Sequence, residues 1–421
     1  MTAAAQTTAT GLVMPRFPIY AIDTDNTIFV LVPGTTSFVR LVRIDNPGLD
    51  GNAIGCDFRP ADGNNNNIYV VTDTGKIYTV SLLPATLGRA TLVSSMTPGF
   101  PDGYQSLCDF NPVVNALRLI GSSTLNYAVV NGTAANPAAS LGTTAVQTAL
   151  TYNALDVNKG IAPRVSAGSY TNNFVGSTVT IFYGIDYNLD TFVTIDPAAA
   201  GGSSATGGGV LRTIGNLVTP TGARIKMSPT ADFDIVTNRN GVNRLFGVSG
   251  RTLFGIDLGQ ATPSTALGST RNVVVQGVTA IDLGGRLDDV AIPNPRYAAA
   301  RSVLGGGNVV NTDPVGFRGP GFVNYADNVA GGYCEFQVNQ NGTQTLVVRY
   351  SNGSTVNRPC NVTVNGVSVG TIQFPPTGSF STFGLATLSV NLGAGGGFRA
   401  LRITSTTPAG GPNMDDIEFD F

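Results

Sequence analysis

The chain has 421 residues, more than one ordinary domain needs and enough for two, and its 42% hydrophobic share excludes a disordered chain. Charged residues make up only 12%, and the formal net charge of −2 provides no basic field to attract nucleic acid or anionic lipid. The absence of His excludes Ser-His and Cys-His nucleophiles and every His-ligated metal, which rules out most familiar enzyme chemistry.

Residues 1–17 form an N-terminal extension without the features of an export signal. Residues 1–10 have neither a basic segment nor an apolar core, so the chain is either cytoplasmic or numbered after processing. No apolar run reaches the ~18 residues of a membrane span, and we expect no membrane insertion. Few Lys beside abundant Gly, Thr, Asn and Ser favour an extracellular or cell-surface protein.

A repeated β-hairpin dominates residues 18–291. Each copy is a run of β-branched and aromatic residues, a short polar turn and a second such run, a pattern that predicts a hairpin. The clearest copies pair residues 19–23 with 27–31, 68–72 with 76–80, 182–186 with 191–195 and 245–249 with 252–257.

Additional strands around these hairpins give four strands every ~45–50 residues, which is typical of propeller blades. We therefore predict an all-β fold that begins with a β-propeller of five blades, with six as the alternative. The first hairpin lacks a preceding strand, and residues 277–283 are predicted to supply it. Strands from both ends of the region would then close the ring and protect its edges.

Residues 292–296 are predicted to be a linker, because Pro293 and Pro295 block a continuing strand. Beyond the linker, short strands alternate apolar and polar residues without the hairpin repeat. Residues 297–421 are therefore predicted to form a two-sheet β-sandwich of ordinary domain size.

Six ordered stretches of the C-terminal region carry a family resemblance. They are residues 319–327, 332–338, 346–353, 358–366, 377–383 and 411–419. Together they resemble the carbohydrate-binding modules of families 6 and 35, which are β-sandwich jelly rolls. The resemblance implies that a polysaccharide or cell-surface glycan is the partner of this region.

The same resemblance implies a sugar cleft with two aromatic rings and an asparagine. Tyr325 matches the first ring, Phe383 stands where these families usually carry Trp, and Asn413 matches the asparagine. Aromatic faces stack on the C–H side of a sugar, and an amide both donates to and accepts from hydroxyls. From the sequence alone, both rings are also consistent with core positions.

The resemblance further implies a structural calcium, for which Asp415 is the matching ligand. The first strand, residues 297–300, lacks the acids that these families place there. A lone carboxylate is a poor calcium site, so no cofactor is assigned. Asp416 points to the opposite face of a strand from Asp415, and we expect it to be solvated.

Residues 19–290 resemble a bacterial propeller-like family of unknown function, through the stretches 56–60 and 72–75. This resemblance implies a fold and no activity. A propeller beside a sugar-binding module also evokes glycoside hydrolases, which need a carboxylate pair. Residues 1–330 contain no Glu, and Asp57 and Asp109 occupy equivalent repeat positions. We expect these two aspartates to make structural contacts between repeats rather than to act in catalysis.

The four cysteines fall two and two into the proposed domains. Cys56 and Cys108 occupy equivalent positions in neighbouring repeats, too far apart for a disulfide, and are expected to be free. Cys334 and Cys360 are in phase with apolar strand positions, so they either form a disulfide or pack in the sandwich core.

Two functions compete for this chain. The first is a non-catalytic, extracellular glycan-binding protein in which the propeller is a rigid scaffold. The alternative is a self-assembling subunit of a filament, sheath or surface layer, in which residues 2–13 add a strand to the sheet of a neighbouring copy. Low charge reduces repulsion between copies and is compatible with both.

Overall fold

The computed structural model describes residues 11–45, 47–103, 105–131, 141–198, 208–259, 271–279, 287–327, 329–394 and 397–419. These residues form β-strands and three short 3-10 helices, at Pro60–Asp62, Pro84–Thr86 and Ala299–Arg301. The predicted all-β class is confirmed. No helix in the described ranges is long and apolar enough to cross a membrane.

The strands are numbered in chain order. The propeller region contains β1 (Ile19–Asp23), β2 (Thr27–Leu31), β3 (Phe38–Arg43), β4 (Ala53–Asp57), β5 (Asn67–Thr72), β6 (Lys76–Ser81), β7 (Ala90–Ser95), β8 (Ser106–Asn111), β9 (Ala116–Gly121), β10 (Asn126–Asn131), β11 (Leu141–Val146), β12 (Thr151–Tyr152), β13 (Val165–Tyr170), β14 (Phe182–Asp186), β15 (Thr191–Ile195), β16 (Val210–Val218), β17 (Asp232–Thr237), β18 (Asn243–Ser249), β19 (Thr252–Asp257), β20 (Arg271–Thr279) and β21 (Leu287–Ala291). The sandwich region contains β22 (Arg296–Ala298), β23 (Val303–Gly305), β24 (Val309–Asn311), β25 (Phe322–Asn324), β26 (Tyr333–Val338), β27 (Thr343–Ser351), β28 (Cys360–Val364), β29 (Val367–Ile372), β30 (Phe383–Asn391), β31 (Arg399–Ser405) and β32 (Asn413–Phe419).

The propeller strands group into four-stranded antiparallel units. Their orders are β21-β1-β2-β3, β4-β5-β6-β7, β8-β9-β10-β11, β13-β14-β15-β16 and β17-β18-β19-β20. The last two units are joined into one sheet, because β16 pairs in parallel with β20. The sheets therefore do not fix a blade number by themselves, and the predicted number stays a prediction.

The first strand of each unit lies at the centre of the propeller. These inner strands contact one another in the closed order β21, β4, β8, β13, β17 and back to β21. Separate hydrophobic clusters fill the spaces between neighbouring units. Because the inner strands β4, β8, β13 and β17 are buried on both faces, each forms a continuous buried run rather than an alternating one.

Side-chain oxygens link each inner strand to the next. Asp57 Oδ2 accepts the backbone N–H of Phe110 at 2.6 Å, and Asp109 Oδ1 accepts that of Tyr170 at 3.1 Å. In the same way, Ser169 Oγ accepts the backbone N–H of Ile235 at 3.2 Å. Asp234 Oδ2 accepts that of Ile292 at 2.6 Å, and Asp289 Oδ2 accepts that of Cys56 at 2.6 Å. The expectation that Asp57 and Asp109 make structural contacts between repeats is confirmed.

The ring closes through both ends of the propeller region, but not through the expected residues. The strand beside β1 is β21, with Tyr20 opposite Ala291. The prediction that residues 277–283 supply this strand is wrong, because Gly277 belongs to β20 and pairs with Phe254 in the last unit. Residues 280–286 lie outside the described part of the chain.

The C-terminal region is a sandwich of two antiparallel sheets. One sheet has the order β24-β25-β32-β27-β30, with β22 also paired to β32, and the other has the order β23-β26-β31-β28-β29. Strand β31 alternates buried and half-buried residues, the pattern of a sheet with one core face. A single hydrophobic cluster lies between the two sheets.

The connection between the two regions is packed rather than exposed. Ile292 belongs to a propeller cluster, and Arg296 already pairs with Glu418 of the sandwich. Between them, Asn294 exchanges two hydrogen bonds with Asn65 of the propeller, at 2.7 and 3.1 Å. The described part of residues 2–13, the proposed assembly segment, also packs locally, since Leu12 is 3% exposed in a propeller cluster.

All four cysteines are buried free thiols. The expectation for Cys56 and Cys108 is confirmed. Cys334 and Cys360 lie in the hydrophobic cluster of the sandwich, so of the two alternatives left by the sequence they pack without forming a disulfide.

Candidate functional site

A row of side-chain positions crosses one end of the larger sandwich sheet. Asn324 pairs with Asn413, Asn413 pairs with Ser351, and Ser351 pairs with Phe383. Directly opposed residues on antiparallel strands point to the same face. The row therefore brings together two of the predicted site residues, Phe383 and Asn413, which are separated by 30 positions in the sequence.

Tyr325 follows this row along the chain, but its ring lies in the sandwich core. It is 1% exposed, and its hydroxyl donates to the carbonyl of Ile403 at 2.8 Å. Gly411 lies against the ring, where a side chain would collide with it. In this arrangement no face of the ring is open to a sugar, so a ligand role for Tyr325 stays a prediction that requires the ring to become exposed.

Two phenylalanines mark the open end of the row. Phe383 is half-buried, and the Arg349 guanidinium lies 4.3 Å from the centroid of its ring. Phe380 lies in the loop just before β30, is 37% exposed, and has the Arg358 guanidinium 5.8 Å from the centroid of its ring. The loop is fixed to the sheet by Ser351, whose hydroxyl donates to the carbonyl of Phe380 at 2.8 Å.

A cluster of acidic and basic side chains lies beside this row, on β32 and on the segments next to β32. Asp415 is fully buried, forms an ion pair with Arg349, and accepts the backbone N–H of Arg318 at 3.0 and 3.1 Å. Burial raises the pKa of Asp415, while the nearby Arg349 and Arg318 charges oppose that rise. The carboxylate proposed as a calcium ligand thus faces arginine and backbone N–H groups.

The expectation that Asp416 is solvated is wrong. Its side chain is 2% exposed, and neither carboxylate oxygen has a hydrogen-bond partner among the described residues. Burial is the main cause that raises its pKa to about 7, and the Asp415 and Glu418 charges add to it. The physical reason is that every residue of β32 is buried: one face packs in the sandwich core, and the face that carries Asp416 is also shielded from solvent.

A β-bulge explains how adjacent acids come to lie in one cluster. Arg349 pairs with Asp416 and Tyr350 pairs with Met414, so Asp415 is the extra residue on β32. Sequence reasoning did not identify Arg349, Arg318 or Phe380 as neighbours of the site. The available signal was the concentration of acids within residues 415–418 in a chain with few charges.

Arg296 connects this cluster to the propeller. Its Nε lies 2.9 Å from Glu418 Oε1, and its guanidinium lies 4.1 Å from the centroid of the Phe174 ring. Phe174 is in a propeller loop after β13, so the charged face of the sandwich also contacts the first region of the chain.

Comparison with known proteins gives a match for each region. Residues 19–278 match the family model described as a domain of unknown function, DUF4394. This agrees with the propeller-like family of unknown function that the sequence resembles.

The curated relatives are carbohydrate-active enzymes that match over a short segment. The chain is 41% identical over 111 residues to an exo-beta-D-glucosaminidase of Amycolatopsis orientalis, which is 26% of this chain and 10% of the enzyme. It is 34% identical over 112 residues to endo-1,4-beta-xylanase B of Cellvibrio japonicus (strain Ueda107), which is 26% of this chain and 18% of the enzyme. The chain thus spans less than a fifth of either relative.

A solved structure is similar to part of the chain. A family 35 carbohydrate-binding module from Clostridium thermocellum is 35% identical, and the match covers 30% of this chain and 95% of the module with a TM-score of 0.28. The likeness to family 6 modules stays a prediction.

Proposed function

The chain belongs to the DUF4394 family, and we propose that it is a non-catalytic, extracellular glycan-binding protein. In this proposal the C-terminal sandwich binds polysaccharide, and the propeller serves as a rigid scaffold. The family description names no activity, so the proposal rests on the second region of the chain.

The observation that carries the proposal is the 41% identity over 111 residues to an exo-beta-D-glucosaminidase. A segment of similar length is 34% identical in an endo-1,4-beta-xylanase. These two enzymes act on different sugars, and the shared segment is a small part of each. A segment common to enzymes of different specificity is better explained by attachment to carbohydrate than by catalysis.

The residues at the open end of the sheet support a sugar contact. Phe380 and Phe383 offer apolar faces, and the half-buried Asn324 offers an amide in the same row as Asn413, which is 5% exposed. Rings that stack on a sugar, with amides that pair with its hydroxyls, are the usual composition of such a site. We therefore shift the aromatic contact from Tyr325, which is buried, to Phe380 beside Phe383.

The propeller aspartates support a non-catalytic role. Asp57 and Asp109 are 1% and 2% exposed, and each accepts a backbone N–H from the next inner strand. A general acid or nucleophile must reach its substrate. In this arrangement a polysaccharide has no access to either carboxylate.

The experiment is affinity electrophoresis of the full chain through gels containing xylan, chitosan or no polysaccharide. We expect at least one polysaccharide to retard the protein. Phe380→Ala should raise the dissociation constant obtained from the retardation about tenfold. This change corresponds to the loss of ~1.4 kcal/mol expected for one stacking contact. Val367→Ala is the matched control, since it removes an exposed side chain of the same domain from the other sheet.

Unretarded migration in every gel, followed by no signal on a broad glycan array, would reject the proposal. Retardation that Phe380→Ala and Phe383→Ala leave unchanged would reject the assigned site. The alternative function, self-assembly, predicts long regular polymers in light scattering and negative-stain images across a concentration series.

A further inference from the structure

A polar cavity lies where the propeller meets the sandwich. Its volume is about 440 Å³, within the range of small-ligand sites. Its walls come from β5, β6 and β7, from the loop after β4 and from the short helix Ala299–Arg301. We call it the junction cavity. None of its described lining residues belongs to the row on the sandwich sheet, so it is a separate candidate site.

The closed end of the junction cavity is built around Arg59, which is 3% exposed. Its Nε donates to Asn115 Oδ1 at 2.9 Å, and its Nη1 donates to the Tyr69 hydroxyl at 3.4 Å. The same Nη1 lies 3.7 Å from Asp62 Oδ1, and the Tyr69 hydroxyl donates to Asp62 Oδ2 at 3.1 Å. These contacts hold an arginine, a tyrosine and an aspartate in place before any ligand arrives.

The repeat itself does not require an arginine at this position. The stretch that contains Arg59 recurs as residues 108–112, in which Asn111 takes the place of the arginine. Asn111 Oδ1 accepts the backbone N–H groups of Val113 and Val114 at 2.9 and 3.2 Å, which stabilises the local turn. The arginine is therefore a feature of this cavity rather than of the repeat.

Side chains in one row across the unit β4-β5-β6-β7 lead from the closed end to the opening. Tyr69 pairs with Thr79, and Thr79 pairs with Thr91, so the three share one face of the sheet. Tyr69 is 4% exposed, Thr79 is half-buried and Thr91 is exposed. The side chains of Thr79, Thr91 and Asn67, which all line the cavity, have no hydrogen-bond partner among the described residues. Their hydroxyl and amide groups are available to a ligand.

The sandwich contributes a second arginine. Arg301 ends the helix Ala299–Arg301, is exposed, and has no hydrogen-bond or ion-pair partner in the described part of the chain. The backbone N–H of Ala298 donates to the Gly63 carbonyl at 2.9 Å, which places this helix beside the cavity. A Cβ at Gly63 would lie 2.9 Å from the Ala298 Cβ and 3.3 Å from the Arg301 Cγ, so glycine permits the close approach. The junction cavity is complete only when both regions pack together.

The charges of the cavity favour an anionic ligand. Two arginines and one aspartate line it, which leaves one positive charge in excess when all three are ionised. Burial raises the pKa of Asp62, while the Arg59 and Arg301 charges oppose that rise, so both arginines act on the same carboxylate. The guanidinium of Arg301 keeps its donors free, and its planar fork matches a carboxylate in two parallel hydrogen bonds.

We propose that the junction cavity binds an acidic sugar unit of a glycan chain. Arg301 pairs with the carboxylate of the sugar. The Thr79 and Thr91 hydroxyls and the Asn67 amide pair with sugar hydroxyls, and Asp62 Oδ1 at the closed end accepts a further hydroxyl. The propeller thereby contributes a binding site of its own, which does not depend on the sugar contact proposed for the sandwich row.

The test is isothermal titration calorimetry of the full chain with two trisaccharides, a trimer of galacturonic acid and a trimer of galactose. We expect the acidic trimer to bind at least about tenfold more tightly, since the ion pair with Arg301 adds to the hydroxyl contacts. Sodium sulfate equimolar to the acidic trimer should not displace it, because sulfate reproduces the charge without the sugar hydroxyls.

Two variants locate the site. Arg301→Gln should weaken binding of the acidic trimer about tenfold, and Thr79→Val, which keeps the shape of the side chain, about fivefold. Arg251→Gln is the matched control, because it removes an exposed arginine from the unit β17-β18-β19-β20, two places away in the ring. Phe380→Ala should leave this binding unchanged, which separates the junction cavity from the sandwich row. The thermal midpoint of each variant should match that of wild type, so that a lost contact is distinguished from a lost fold.

Four results would overturn the proposal. Equal binding of the two trimers would reject the acidic ligand class, and binding of neither trimer would reject the site. Displacement by equimolar sulfate would assign the cavity to small anions in general. Binding of the acidic trimer that survives Arg301→Gln and Thr79→Val but is lost in Phe380→Ala would place the sugar on the sandwich row. Retardation by xylan or chitosan is independent of all four results, so the proposed function and this inference can fail separately.

Discussion

Tyr325 offers the sharpest test of how the candidate site is built. The Tyr325→Phe substitution removes one hydroxyl from a ring that is 1% exposed and leaves the ring itself in place. That hydroxyl donates to the carbonyl of Ile403 at 2.8 Å. Its loss leaves a buried carbonyl without this donor, which costs about 2 kcal/mol of unfolding free energy.

The measurement is urea unfolding of the full chain followed by circular dichroism. With a slope of ~2 kcal/mol per molar urea, the midpoint of the transition that reports the sandwich should fall by about 1 M. Tyr325→Ala should cost more, about 3–5 kcal/mol, because it also opens a cavity. In gels without urea, the polysaccharide should retard Tyr325→Phe as strongly as it retards the wild-type protein.

The opposite pattern would refute this reasoning. If Tyr325→Phe leaves the urea midpoint unchanged and weakens polysaccharide binding, the ring is exposed in solution and serves as a sugar contact. Phe380→Ala is the matched comparison, since removing a 37% exposed ring should weaken binding with little change in midpoint.

Three further predictions follow from buried groups. Arg296→Met removes one partner, at 2.9 Å, from the Glu418 carboxylate, which is 4% exposed and keeps its contact with Arg318 at 3.3 Å; calorimetry should show a loss of about 2–3 kcal/mol, and an unchanged transition would contradict the burial of this pair. The four buried thiols should not react with Ellman's reagent in the native chain and should give four equivalents after unfolding; fewer would indicate a disulfide. Burial raises the pKa of Tyr297 to about 12, above its unfolded value of ~10, so the native state holds this proton longer. The stability that Tyr297 contributes is complete below pH 10 and is lost as the pH rises through 12. Urea unfolding measured from pH 9 to 12 should show this loss, and a flat stability profile over that range would contradict the raised pKa.

Local patterns predicted the strands well. The hairpin at residues 19–31 forms β1 and β2, because β-branched and aromatic residues flank a turn in which Asn26 adopts a φ of 59°. The same chemistry recurs at β5 and β6, where Gly75 has a φ of 77°. These features depend on neighbours within a few residues, which a sequence displays directly.

Partners across long distances were harder to predict. The closing strand was assigned to residues 277–283, although β21 begins at Leu287. Both segments carry β-branched residues, and only the space beside β1 decides between them. The expectation of a solvated Asp416 failed for a similar reason, since a strand sequence does not reveal whether the face opposite the core is covered by other parts of the fold.

The sequence by itself determined the all-β class, the hairpin repeat and the change of pattern near residue 292, because these depend on composition and short-range alternation. It also singled out Asp57 and Asp109 as equivalent positions. Only the tertiary structure decided that these two meet Asp234 within 4.8 Å, that Tyr325 lies in a core, and that Phe383 and Asn413 share one row. Burial and charge proximity arise from contacts between strands far apart in the chain, and no local pattern encodes those distances.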